Sequence, residues 1–230
     1  MIKKKILFII TFIMFFGCNP KNKKNNIIIG FVNGLQKGNL YLQKINDLEF
    51  ITLDSVFVKG EKEFELSCNL EEPEILFLSL SKNSNSEKIS FFGYDGITKI
   101  NTSVDRFNFD AEIIGGPQQN LLETYNKNIK KFKNKELELL ETFLNAQRLN
   151  HQNKMDRASD MRDKNLKKQY LYTINFAINN NKSEIAPYIA LMDISDAKFK
   201  YLDTIYNSLS QNIKASKYGA FLKEYLEEIK

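Results

Sequence analysis

The sequence predicts an α+β protein, an N-terminal antiparallel β-sandwich or half-barrel followed by a C-terminal all-helical segment. Three observations carry that prediction. From Ile27 to about Ile114 apolar and polar residues alternate with period two, broken by turn residues every eight to twelve positions, as in half-buried strands joined by short connections. At Gly115-Gly116-Pro117 the pattern changes, since proline suits a first helical turn and glycines allow a sharp reversal. Beyond that point apolar residues return at spacings of three and four, which is one face of a helix.

The chain opens with MIKKKILFIITFIMFFGC, in which Lys3 to Lys5 precede an apolar run from Ile6 to Phe16, and Gly17 precedes Cys18. That is the layout of a cleaved export signal. The run is 11 residues, about half the helix length needed to cross a ~30 Å hydrocarbon core, so it can enter a translocon without stably spanning. The expected division is a signal peptide over 1–17, a flexible tether over 18–26, a β-rich domain over 27–116 and a helical region over 117–230. Cleavage before Cys18 leaves 213 of 230 residues, enough for one large domain or two small ones. It also removes the three lysines and lowers the formal net charge from +5 to +2, so the basicity of the whole chain is largely a targeting feature. The segment NPKNKKNN, Asn19 to Asn26, is polar and aperiodic and reads as the tether. Its Lys21, Lys23 and Lys24 could add about 1 kcal/mol each at an anionic surface.

Within the β-rich domain, Leu76, Leu78 and Leu80 alternate with Phe77 and Ser79, while Phe64, Leu66, Cys68 and Leu70 share one face of EFELSCNL. Each strand is therefore expected to bury one side. Gly34, Gly38, Gly60, Pro73 and the Asp95-Gly96 pair mark turns, and an Asp-Gly between apolar strands is a specific signal for a short hairpin. In the helical region a long amphipathic helix is expected from Pro117, with Leu122, Tyr125, Ile129 and Phe132 as its stripe and Leu140, Phe143 and Leu144 continuing nearby. Further helices are read through Leu166, Tyr170, Ile174 and Ile178, from Pro187 to Met192, and through Leu202, Ile205 and Leu209. The last has Ser216 as its cap and Tyr218, Phe221, Leu222, Tyr225, Leu226 and Ile229 as its buried stripe.

Few residues offer chemistry. Cys68, the one cysteine besides Cys18, is in phase with core positions and reads as a structural thiol. His151, the single histidine, lies in the polar stretch QRLNHQNKMDR and reads as a solvated surface side chain. Glu71 and Glu72 are adjacent, point to different sides and cannot flank one bond as a glycosidase pair does, so they read as a charged loop before Pro73. Gly115-Gly116 lacks the lysine and hydroxyl neighbours of a phosphate loop. Between Lys127 and Lys168 twelve basic and six acidic side chains give +6 on a mature total of +2, a region able to attract anionic lipid, polysaccharide or nucleic acid. Its interspersed acids favour a solvated helix face, and export argues against nucleic acid. No catalytic residue, cofactor or metal is assigned.

Gly17-Cys18, after the apolar run, resembles the bacterial lipobox, with Phe15 and Phe16 standing where small or branched aliphatics are usual. The resemblance implies lipidation of the Cys18 sulfur and cleavage that makes it the first mature residue. At about 0.8 kcal/mol per buried CH₂, two or more acyl chains hold firmly where one binds marginally. Four segments of the mature chain, IIIGFVNGLQKGNLYLQK, LDSVFVKGEKEFELSCNLEEPEILFLSL, ISFFGYDGITKI and EIIGGPQQNLLETY, carry a second resemblance. They are similar to a domain of unknown function found N-terminal to the thioredoxin domain in TlpA and ResA-like lipoproteins, membrane-anchored thiol-disulfide oxidoreductases of Gram-negative bacteria. Asp54, Ser55, Val58 and Phe64 keep most of that domain's "D-S-x-x-V-x-x-G-x-F-x-F" strand pair, with a charged insertion after Gly60. SEIAPYIALMD and KYGAFLKEYLEEIK resemble the helices that precede the thioredoxin domain. The chain stops where that domain would begin and carries no CxxC, so the relatives' dithiol chemistry has no position here onto which it could be carried.

Three functional readings follow as expectations. The first is a membrane-anchored envelope lipoprotein with a non-enzymatic binding or accessory role. The second is an accessory component of a thiol-disulfide or stress pathway acting with a separate thioredoxin-like protein, and the third a carbohydrate or nutrient-binding accessory lipoprotein. Expected partners are membrane lipid, through acylated Cys18, and an envelope protein such as a thioredoxin-like protein. Because the tether is basic where the relatives' bacteria often mark surface export with acidic residues, the expected place is lipid-anchored in a Gram-negative envelope, facing the periplasm.

Overall fold

The computed structural model describes residues 24–46, 49–60, 62–83 and 86–230. Alternation of apolar side chains produces eight strands among them: β1 (Asn26–Asn33), β2 (Lys37–Asn46), β3 (Glu49–Lys59), β4 (Phe64–Cys68), β5 (Glu74–Ser79), β6 (Lys88–Gly93), β7 (Gly96–Ser103) and β8 (Glu112–Ile114). They build two four-stranded sheets, ordered β4-β1-β7-β8 and β3-β2-β5-β6. Ile28, Leu40, Leu66, Leu78, Phe91 and Ile100 fill the space between them, and Phe64, Leu66, Cys68 and Leu70 all point into it as the alternation requires. Helices follow: α1 (Pro117–Arg148), α2 (Gln152–Asn179), α3 (Ile185–Asp193), α4 (Phe199–Ser208), α5 (Gln211–Ala215) and α6 (Lys217–Glu228). The fold is α+β, strands first and helices after.

Long-range pairing corrects several local expectations. The sheets are not purely antiparallel, because β1 and β7 run parallel, from Asn26 beside Gly96 to Asn33 beside Ser103. β1 is central in its sheet, with β4 on one side and β7 on the other, and β7 reaches it only after β2, β3, β5 and β6 have built the other layer. The Asp95-Gly96 pair is not a hairpin either. β6 and β7 lie in different sheets, so the pair is the corner between them. Gly96 has φ 154°, and a Cβ there would fall 2.4 Å from the Tyr94 ring, so the corner needs glycine for conformation and for space.

Three residues assigned to the expected tether are part of the fold. Lys24, Asn25 and Asn26 already belong to the sandwich: Lys24 Nζ donates to the Ser67 carbonyl at 2.7 Å, and Asn25 exchanges two hydrogen bonds with the Leu70 backbone. Asn26, fully buried, donates to the Tyr94 carbonyl at 2.6 Å. Polar side chains that bond backbone groups in this way satisfy donors and acceptors left open where strands end.

Nor does every strand bury a single side. β5 and β6 are covered on both faces, with Leu76, Leu78, Ile89 and Phe91 in the sandwich core and Ile75 and Phe92 in a second core with the helices. The molecule is thus three layers: sheet, sheet, helices. In the second core Tyr125, Ile189, Leu202, Ile205 and Leu222 are essentially inaccessible, and the Phe92 N–H donates to Gln119 Oε1 of α1 at 2.9 Å.

α1 and α2 form a long antiparallel hairpin. With 32 residues, α1 is about 48 Å long. The reversal occupies Leu149, Asn150 and His151, with Asn150 at φ 54°, a left-handed conformation that asparagine tolerates. Leu122, Tyr125 and Ile129 are buried as expected, but farther along the hairpin the inward stripe differs: Leu139, Ala146, Ala158 and Asn165 are buried, whereas Leu144 is 51% and Leu166 48% exposed. Small residues at the contact let the two helices approach closely, and the leucines are displaced to its flanks. Phe221 of α6 and Ile229 just after it are exposed, and Ser216 does not cap through its side chain; its hydroxyl donates to the Ile213 carbonyl at 2.9 Å.

Candidate functional site

The strand-pair sequence that stands out in the chain has a structural explanation. Asp54 of β3 accepts the Ser67 N–H of β4 at 2.8 Å and the Ser55 N–H at 2.9 Å, and lies 3.5 Å from Lys24. Since β3 and β4 belong to different sheets, this carboxylate ties one open edge of the sandwich to the other.

A second polar cluster joins the sheet to the last helix. Glu74, 5% exposed, holds Lys44 of β2 at 3.0 Å on one oxygen and Lys217 of α6 on the other. Glu72 accepts the Lys217 N–H at 2.7 Å, satisfying one of the donors left open at the start of α6, where the helix dipole favours a carboxylate. The Ile75 N–H donates to the Tyr218 hydroxyl oxygen at 2.8 Å, and burial pushes that phenol well above its ordinary range. Glu72 is thus half-buried and engaged, a correction to its reading as loop charge, while Glu71 is exposed.

The remaining expected positions are quickly placed. Cys18, the lipidation position, lies outside the described residues. Cys68 is 5% exposed and its thiol lies 3.5 Å from Asn26 Oδ1 as donor; burial, with a smaller contribution from Glu74, pushes the thiol up to about 11. His151 is exposed at the start of α2. Among the described residues no group of three or more His, Cys, Asp or Glu side chains could hold a metal, and no helix is long and apolar enough to cross a membrane.

What the sequence did not single out is a groove of about 410 Å³ between α3 and α6, lined by Leu191, Met192, Ser195, Phe221, Glu224, Tyr225 and Glu228. Met192 is 61% and Phe221 48% exposed. The Tyr225 hydroxyl donates to the Ser195 carbonyl at 2.9 Å, which fixes the groove's wall. Leu191, Met192, Phe221 and Tyr225 give the groove an apolar lining, with Glu224 and Glu228 beside them.

Residues 27–122 match the family model of a domain of unknown function (DUF4369). That segment takes in all eight strands but for Asn26, and only the first turns of α1. It includes the resemblance's first three segments and most of the fourth, and leaves SEIAPYIALMD and KYGAFLKEYLEEIK outside. The β-rich part of the chain is therefore similar to a domain of unknown function. No curated protein and no solved structure matches the chain.

Proposed function

We propose that the protein is an envelope lipoprotein, held to a membrane through acylated Cys18 and facing the periplasm, with a non-enzymatic binding or accessory role. The observation that carries the anchor is the order of Lys3 to Lys5, the 11-residue apolar run and Gly17-Cys18. The binding role rests on the groove between α3 and α6, where Met192 and Phe221 are left to solvent. Cys18→Ala tests the anchor: in detergent-phase partitioning of cell membranes the natural protein is expected in the lipid phase, and the variant in the aqueous phase or retained as uncleaved precursor. A variant that partitions and migrates as the natural protein does would end this reading.

One observation favours the second reading, an accessory acting with a separate thioredoxin-like protein. The groove is built partly by α6, whose sequence KYGAFLKEYLEEIK resembles the helix that precedes the thioredoxin domain in relatives. A photo-crosslinker at Phe221 is expected to capture a thioredoxin-fold protein in cells. Capture of an unrelated protein, with none of that fold, would dismiss the second reading.

A further inference from the structure

The +6 of the Lys127–Lys168 segment is not evenly spread. With buried Leu139 taken as the inward direction of α1, Lys127, Lys131 and Lys135 lie about 40–120° to one side and Glu136 about 60° to the other, at about 100° per residue. With buried Ala158 as the inward direction of α2, Lys154, Arg157, Lys164 and Lys168 lie about 40–120° to one side, and Asp156 and Asp163 lie about 140–160° to the other. The contact at 2.6 Å between Arg162 and Glu136 joins the two acidic sides and so puts the two basic sides together. One face of the hairpin gathers these seven cations; of the six acids Glu138 shares it, paired to Lys135 at 2.7 Å, while Glu141 and Asp160 lie at its outer border, about 160° from the inward direction on the same side. Lys135 is the only one of the seven in an ion pair, and all seven are exposed.

We infer that this face is a docking surface for an anionic phospholipid bilayer. Three features favour lipid over a soluble polyanion. Met161 and Leu171, 49% and 53% exposed, stand in the same row as the cations, and apolar side chains among lysines suit the boundary between headgroups and acyl chains. The α2 cations from Lys154 to Lys168 run along about 21 Å of helix, an array matched to many small headgroups. The chain also enters the fold beside the root of the hairpin: Asn26 bonds Tyr94, and a Cβ on Gly116, which opens α1, would lie 2.7 Å from the Tyr94 ring. An anchor at Cys18 would hold that root near the bilayer. The inference uses the proposed anchor for location only; the chemistry stands without acyl chains.

The test uses unacylated protein of residues 19–230, which contains both cores, sedimented with vesicles of phosphatidylethanolamine and phosphatidylglycerol and, separately, of phosphatidylcholine. Binding is expected to the first alone and to fall with added salt. The variant with Lys131, Lys135, Lys164 and Lys168 all changed to Gln should bind about fivefold more weakly per lysine, on the order of a hundredfold or more in total. The same four changed to Arg should restore binding, and Lys130→Gln with Lys167→Gln, off this face, should change it less than about threefold. Equal binding to both vesicle types, equal loss in the off-face variant, or binding to heparin without binding to anionic vesicles would each overturn the inference. Because no acyl group is present, failure here is distinct from failure of the Cys18 reading.

Discussion

Phe92→Ala is expected to lower the unfolding free energy by about 3–5 kcal/mol, among the largest effects of any single truncation in the chain. The ring is inaccessible to solvent and meets Tyr188 of α3 edge-on at 5.4 Å and Tyr218 of α6 at 6.2 Å, while its N–H is held by Gln119 of α1. Three helices therefore converge on one strand residue. Removal of the ring leaves a cavity that all three would have to collapse to fill, which rigid strand backbone resists. Urea unfolding followed by circular dichroism measures the change, with Phe57→Ala, on a 53% exposed side chain, as control at about 0.5 kcal/mol or less. Equal costs at the two positions would show that the sheet and helices do not share a core at Phe92.

The second large effect is expected at Glu74. Glu74→Ala removes the shared counter-charge of Lys44 and Lys217, and breaking a buried ion pair by deleting one partner costs about 3–5 kcal/mol. The two lysine side chains are 28% and 26% exposed, so water recovers part of that loss, and about 2–3 kcal/mol is expected. Replacing Lys44, Glu74 and Lys217 together by Met should restore most of the stability, since apolar replacement of a whole buried network is often neutral. If Glu74→Ala were as stable as the natural protein, the cluster would be surface decoration rather than the joint between sheet and helix.

Local pattern carried much of the fold. Period two placed Phe64, Leu66, Cys68 and Leu70 on one buried face because burial on one side of a strand is decided by neighbours two residues away. It could not reveal that β1 pairs with β7 in parallel, since both orientations bury the same alternate residues. Asp95-Gly96 misled for a related reason: it favours a tight change of direction whether the next strand joins the same sheet or the opposite one. Glu72 read as loop charge because its partner at Lys217 stands 145 residues away in sequence. In the hairpin, Leu140, Leu144 and Leu166 drew the stripe toward themselves, although alanines and an asparagine form the contact. That phase error hid the segregation of charge, which a net count cannot show and which follows once the inward direction is known. The groove between α3 and α6 left no mark in the sequence, because a large apolar residue at helical spacing reads as buried wherever it points.

The double covering of β5 and β6 bears on inheritance. Residues 27–122 recur as a unit of sequence, yet a chain ended at 122 would leave Ile75, Phe77 and Phe92 facing water. In this chain the module is complete as a pattern but incomplete as a folding body, and α1, α3 and α6 supply the roof for that sheet.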